Sequence, residues 1–594
     1  MPVARGNPGA TVLDQNAGTV SCMASIAPTD HQQYLQISHD TLFRAYEVVP
    51  RLANIEARLS SLESRSTASP VSTTSASLIP ERDNGPLSIA RLPDLHTAAS
   101  HKMLDGWPRL RLHIHPLEAR PLALYQAVDA SDPLLTRTWG ETQRLQEMPL
   151  KDILQTINQL HQRIQELPLV FTYLFTCWPE FSSDATVAPL QHLESSLLPS
   201  PQKLSLHRLS IHQLLLLSMG LRLLGPSQLT ELSETSSLCE ISFALCLERL
   251  WVLHANVDLD SLSLILTIAL CLVHLWGRPF HSLGLLQSLD SHFERLILQN
   301  AGSESIMHKL HACAIIHYVL ESDILTELDG IPSRTAKMLG KYWPSTLNSS
   351  IDLHATAGPT DSQRILSLMK RHKELRSYLN HITQDLYLPE KANATPHELA
   401  QPIQNYSARL RQWYENLDCE NQFARDVMTL NLRGQKLPIH LRELALRYYT
   451  CIFLLNRPVL YFYLHEELEY NIRPLDPATV NSNNGLWVHE SCKNCIEAAT
   501  LIIHVHKMDA ELSTTTEKAF VSWCDIQMLF AVYMVVLQLK TASPQRRGFK
   551  DAGEIESLLD TVMHVMERAP FTSANIERSL VIMKQERQGF SSAM

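Results

Sequence analysis

The sequence predicts an all-α protein: a large multi-helix domain preceded by a short coiled-coil-like helix and a flexible linker. Three observations carry this expectation. Glycine is scarce, at 19 of 594 residues, while leucine is abundant, a balance that favours helices over turn-rich sheets. From about Leu87 onward apolar residues recur at helical intervals. No alternating strand series is visible. Hydrophobic residues at 45% and charged residues at 19% supply enough apolar surface for a sizeable core.

Residues 1–30 are polar and unpatterned and read as a disordered lead. Residues 31–65 read as a short amphipathic helix. In "PRLANIEARLSSLES", Leu52, Ile55, Leu59 and Leu62 form a seam at heptad spacing, and Pro50 suits a helix start. Two readings fit: a dimerising coiled coil over residues 51–63, making a homo- or heterodimer, or one amphipathic helix lying on its own domain. Residues 66–90, with "STASPVSTTSASLIP", have no periodicity with which to bury anything and read as a linker.

Residues 91–204 are expected to form the helical N-terminal part of a regulatory region, 205–541 its main domain, and 542–594 a C-terminal helical segment and tail. Within the main domain Ile241 to His254 and Asp260 to Trp276 read as a buried antiparallel helix pair, the second capped by Asp260. Gly277 stops that helix and Pro279 suits the first turn of the next. Further helices are expected at Met307 to Leu328, Gln363 to Tyr387, Ser407 to Asn416, Leu441 to Leu464, Gly485 to His506, Ala519 to Thr541 and Ile555 to Ala569. Residues 181–205, 330–360 and 471–484 read as long loops. No repeat of solenoid length is visible.

A net charge of −10 opposes generic attraction to phosphate backbones, so any DNA contact must come from a local feature or a partner. The scattered cysteines, among them Cys246, Cys271 and Cys451, sit in apolar helical stretches and read as small hydrophobes in a reducing compartment. The N-terminus has no secretory h-region. The apolar run Ser261 to Trp276 is interrupted by His274 and falls short of the ~20 residues of a membrane span, so no membrane association is expected.

No catalytic, cofactor-binding or metal-ligating residue is assigned. Cys492 and Cys495 form a C-x-x-C without a second ligand pair and read as a structural pair on one helix face. His465 precedes Glu466, but Glu469 stands where a zincin needs its second histidine. Glu321, Asp323, Glu327 and Asp329 in "LESDILTELD" read as a solvated, helix-capping acidic face, since no second acidic cluster faces them. His281, His311, His317, His504 and His506 read as satisfied core or surface imidazoles. No nucleophile elbow, P-loop or dinucleotide fingerprint is found.

Four passages in order, "LVHLWGRPFHSLGLLQSLD", "HACAIIHYVLESDILTELDGIPS", "LALRYYTCIFLLNRPVLYFYL" and "SCKNCIEAATLIIHV" with "WCDIQMLFAVYMVVLQL", resemble the middle homology region of the fungal zinc binuclear-cluster transcription factors. The third resembles that family's Tyr-rich helix closing on Asn456, Arg457 and Pro458. "TAASHKMLDGWPRLRLHI", with His101, Trp107 and Pro108, resembles the segment these regulators place between linker and middle domain. The family's six-cysteine head has no counterpart here: Cys22 is the sole cysteine before Cys177, and no lysine precedes Lys102. Without thiolates no zinc is held, and without zinc so small a head cannot fold.

The resemblance therefore implies a nuclear transcription regulator without its own zinc head, controlling a metabolic or secondary-metabolite gene set. It would reach DNA indirectly, through a dimer partner, or through a head lost from the gene model. A small-molecule effector is among its expected partners. The alternative is a headless helical interaction scaffold.

Overall fold

Among the described residues, helix follows helix. The computed structural model describes residues 96–107, 147–164, 167–196, 203–224, 235–328, 330–343, 361–391, 394, 396–434, 437–470, 483–512, 521–542, 548–568 and 574–593. All of these belong to the unit Asp83–Met594. The expected segments 1–30, 31–65 and 66–90 lie outside the described residues, and with them the seam of Leu52, Ile55, Leu59 and Leu62.

The first half comprises α1 (Met103–Gly106), α2 (Leu150–Gln162), α3 (Leu169–Cys177), α4 (Ser183–Thr186), α5 (Ala188–Ser196), α6 (Ile211–Leu224), α7 (Thr235–Glu248) and α8 (Leu250–Ala255). It continues with α9 (Leu259–His274), α10 (Pro279–Ser288), α11 (Asp290–Asn300), α12 (Glu304–Glu327) and α13 (Thr335–Tyr342). The second half holds the long helices α14 (Asp361–Leu386), α15 (Pro396–Glu415), α17 (Ile439–Tyr470) and α18 (Asn483–Leu512), with the short α16 (Val427–Arg433) between them. It closes with α19 (Trp523–Thr541), α20 (Ala552–Glu567) and α21 (Ala574–Ala593). Among the described residues the fold is all-α apart from one antiparallel ladder, β1 (Glu147–Pro149) with β2 (Lys203–Ser205), which turns Met148 and Leu204 inward as a direct pair.

The core is organised around α17, which packs most extensively along α18 and also against α14 and α15. Helix α9 is buried from Ser261 through Val273, so it has no solvent face. Helix α19 is the one described helix long and apolar enough to cross a membrane by length and composition, yet 72% of that stretch is buried inside the fold, as a core helix is. Its start is a reciprocal capping box: Ser522 Oγ accepts from the Asp525 amide, and Asp525 accepts from the Ser522 amide.

Several local expectations hold, and several are corrected. Gly277 has φ 61°, a conformation a Cβ would strain, and it ends α9; Pro279 opens α10. The cap of α9 is Asp258, not Asp260: Asp258 is extended and its carboxylate accepts from the Ser261 amide at 2.7 Å, whereas Asp260 is already inside the first turn. The expected helix Ile241 to His254 breaks at Arg249, and α7 packs chiefly on α6 rather than on α9. The expected loops contain α4, α5 and β2 in 181–205, α13 in 330–360, and the start of α18 at Asn483.

The helix expected to close on Asn456, Arg457 and Pro458 instead runs through them to Tyr470. Pro458 has no N–H to give to the carbonyl four residues back, Leu454. The Tyr387 hydroxyl, from the end of α14, donates to that carbonyl at 2.6 Å and so replaces the missing helix bond. Asn456 and Arg457 are buried beside the proline: Asn456 accepts from Ser491 of α18 at 2.6 Å, and the Arg457 guanidinium lies over the Tyr387 ring at 5.0 Å.

Tyr387→Phe should therefore leave the Leu454 carbonyl buried without a donor. It is expected to destabilise the fold by about 1–3 kcal/mol, read as a lower urea midpoint at unchanged slope.

Candidate functional site

Asp323 of α12 is the meeting point of three helices. Arg447 of α17 clamps its carboxylate with two hydrogen bonds of 2.7 Å, and Arg376 of α14 adds a third at 2.8 Å. Burial alone would raise the Asp323 pKa, but Arg447, then Arg376 and His274, outweigh it and hold the carboxyl below its ordinary value. Arg376 also donates to Asn380 and Thr326, and Asn380 passes the network to Tyr318 and Ser322. The acidic face expected to be solvated is thus an interior one. Glu321 and Glu327 are buried as well, the former accepting from the Ser333 amide and hydroxyl at 2.8 Å each. Asp329 lies outside the described residues.

Beside this clamp lies a cavity of about 160 Å³, walled by α3, α9, α12, α14, α17, α18 and α19. Its lining is partly apolar, with Phe171, Leu270, Ile315 and Met369, and partly polar, with His274, His372, His506, Glu443, Asp525 and the Asp323 clamp. Each of those histidines has a buried ring nitrogen with no hydrogen-bond partner: Nδ1 of His274, Nε2 of His372 and Nδ1 of His506. Burial pushes His274 down to about 4 against the pull of Asp525 and Asp323. It pushes His372 down to about 3, helped by Arg447, and it also lowers His506 despite Asp525. All three imidazoles are neutral at pH 7.

Glu443 sits one turn from Arg447 on α17 and accepts from the Leu169 amide at 3.0 Å, at the start of α3. Burial raises it to about 7 against the pull of Arg442. Behind it Arg442 pairs with Asp509 at 2.6 Å and reaches Asp525 at 4.0 Å. Cys524, also on the wall, is held protonated because burial raises its thiol well above the ordinary range.

The segment before α1 closes one part of the cavity wall. Ala98 lines it, and Ser100 ties the segment down: its amide and hydroxyl donate to Glu327 at 2.8 and 2.7 Å, and the hydroxyl reaches Gln527 at 3.1 Å. His101 stands 3.4 Å from the same Glu327 carboxylate. Arg457 donates to the Thr97 carbonyl, His96 stacks on Tyr387 at 4.5 Å, and Trp107 packs edge-on against Tyr461 and His465.

No family model, curated protein or solved structure matches this chain.

Of the residues singled out from sequence, the expected dimerisation seam is outside the described residues. Cys492 and Cys495 are both fully buried on α18, with the Cys495 thiol facing the Phe453 carbonyl at 3.6 Å. No disulfide and no His, Cys, Asp or Glu grouping able to hold a metal occurs among the described residues. His465 is engaged by the Tyr461 carbonyl and Gln538. His317 faces the Leu286 carbonyl at 2.7 Å, His311 stacks on Trp343, and His504 meets Asn431 at the surface. Of the named histidines only His506 reaches the cavity; His274, His372, Glu443 and the arginines carried no sequence motif.

Asp323→Asn removes the charge that two buried guanidiniums share. It should destabilise the fold by about 3–5 kcal/mol in urea titration, whereas Glu304→Gln, at an exposed i,i+4 pair with His308, should stay within about 0.5 kcal/mol.

The buried imidazoles also set a pH dependence. Folded His96, His254, His274, His311 and His372 titrate at about 3, 4, 4, 4 and 3, so between pH ~6.5 and ~4.5 the unfolded chain binds more protons at each. Glu443 and Glu586, both raised to about 7, act oppositely but are fewer. Stability should therefore fall as pH drops from ~6.5 to ~4.5, and His372→Gln should flatten that slope; urea midpoints across the interval test both.

Proposed function

We propose that this chain is a transcription regulator of the fungal binuclear-cluster type, and that its helical body is a ligand-responsive regulatory domain. The observation that carries the second half is the Ser100 tether: one serine hydrogen-bonds two wall residues of the cavity, Glu327 and Gln527, across 227 and 427 positions of sequence. Whatever fills the cavity bears directly on the segment that leads back to the linker and to the Leu52, Ile55, Leu59 and Leu62 seam. The first half is supported by the resemblance of the helical passages and of the segment around His101 and Trp107, both of which are buried.

On this reading the protein works in the nucleus. It dimerises through residues 51–63 and reaches promoters through its partner. Small-molecule occupancy shifts the docking of residues 96–107, because a ligand changes an equilibrium only by contacting its two states differently. No membrane is involved, since the apolar helices are spent on the core.

The test is a reporter experiment. The full chain fused to a heterologous DNA-binding domain should change transcription from a matched promoter several-fold, and Ser100→Ala should alter that response. Deletion of 31–65 should abolish co-precipitation of differently tagged copies or of the dimer partner. A fusion that leaves the reporter unchanged would favour an interaction scaffold and overturn the regulator reading.

A further inference from the structure

The charges around the cavity do not balance. Carboxylates are contributed by Asp323, Glu327, Glu443 and Asp525, with Asp509 behind Arg442; the guanidiniums are those of Arg376, Arg442 and Arg447. That is five acids against three permanent cations, and with Glu443 raised to about 7 and so only partly ionised at pH 7 the acids still outnumber the cations. The cavity is also lined by His274, His372 and His506.

Those imidazoles are neutral, and a neutral imidazole always offers one lone pair. Each has a nitrogen without a partner, and His372 and His506 are more than nine-tenths buried, at 8% and 2% exposure. Such nitrogens also occur elsewhere in the fold, at His96, His254 and His292, so it is the place of these three on the cavity lining that bears on a guest. Arg447 Nε also lacks an acceptor and would by itself suit an anion. Its guanidinium, however, is already neutralised by the two bonds to Asp323, so the surplus of negative charge decides the sign of the guest.

Size and shape narrow the class. A cavity near 160 Å³ is comparable to the roughly 150 Å³ engineered cavities that admit a benzene ring. Phe171, Leu270, Ile315 and Met369 suit an apolar body, and the histidines suit a cationic head.

We propose that the cavity binds a small primary amine with an apolar or aromatic body, its ammonium group held by the Glu443 carboxylate in a lining that His274, His372 and His506 share. The inference rests on the cavity being an effector site, and it names the chemistry of that effector. It requires no covalent step. The ammonium brings the positive charge and the donors that the acidic lining residues call for, while the ring meets the apolar ones.

The experiment is calorimetric titration of the full chain with three probes of equal size, benzylamine, benzyl alcohol and benzoate. Benzylamine should bind about tenfold or more tighter than benzyl alcohol, the gain of one charge-assisted hydrogen bond, and benzoate should bind weakest. Glu443→Gln, which keeps an acceptor for the Leu169 amide, should bring benzylamine down to the affinity of the alcohol while leaving the alcohol unchanged. If that variant does not fold, the ranking of probes on the natural chain decides alone. Benzoate binding as tightly as benzylamine, or none of the probes binding at millimolar concentration, overturns the proposal. Calorimetry does not depend on transcription, so an inactive reporter fusion that still binds benzylamine would remove the regulator reading and keep the site.

Discussion

The bidentate clamp of Arg447 on Asp323, with Arg376 as its third arm, is the constraint from which the rest of the interior follows. It joins α12, α14 and α17, and the bonds of Arg376 to Thr326 and of Asn380 to Tyr318 and Ser322 extend the α14–α12 contact beside it. Hydrophobic burial supplies most of the drive to collapse but is non-directional. A planar guanidinium locked onto a carboxylate admits one register, and leaving either partner alone in the interior is strongly unfavourable. The clamp thereby determines which side chains of α12, α14 and α17 face the centre, and so which groups line the cavity beside it.

A second set of contacts repeats this logic around Pro458. A proline inside α17 removes a helix bond, the Tyr387 hydroxyl replaces it, and the neighbouring Arg457 uses the same tyrosine ring as a platform while holding the Thr97 carbonyl. One local defect in a helix thus anchors both the end of α14 and the entering segment. With the Ser100 tether on Glu327 and Gln527, the entering segment is held at two places by residues of the central helices. It is part of the body, although its nearest partners are hundreds of residues away in sequence.

The cavity shows what happens where the two kinds of packing meet. Apolar helices such as α9 and α19 fill space by interdigitation, but α9 delivers His274 and α19 delivers Asp525 at their ends, where the polar groups of α14, α17 and α18 converge. Low dielectric strengthens the charge pairs that are made and keeps the imidazoles uncharged. The result is a preorganised lining, partly polar and partly apolar, the general form of a site for a small amphiphilic molecule.

How much of this was legible in the sequence follows from the range of each interaction. Helical character, the Gly277 stop, the Pro279 start and the buried pair Cys492 and Cys495 are consequences of spacing within a few turns, and the sequence by itself determined them. The cap of α9 was misplaced by two residues because both Asp258 and Asp260 have capping chemistry and only backbone conformation separates them. The acidic stretch of α12 was misread for a different reason: a carboxylate looks solvated until its partner is known, and Arg447 lies 124 residues from Asp323. His274, His372 and Glu443 carry no local signature at all. Only the tertiary structure decided that they share a wall, because burial, and with it the loss of charge on the imidazoles and the partial neutralisation of Glu443, is a property of the packed helices and not of any segment taken alone.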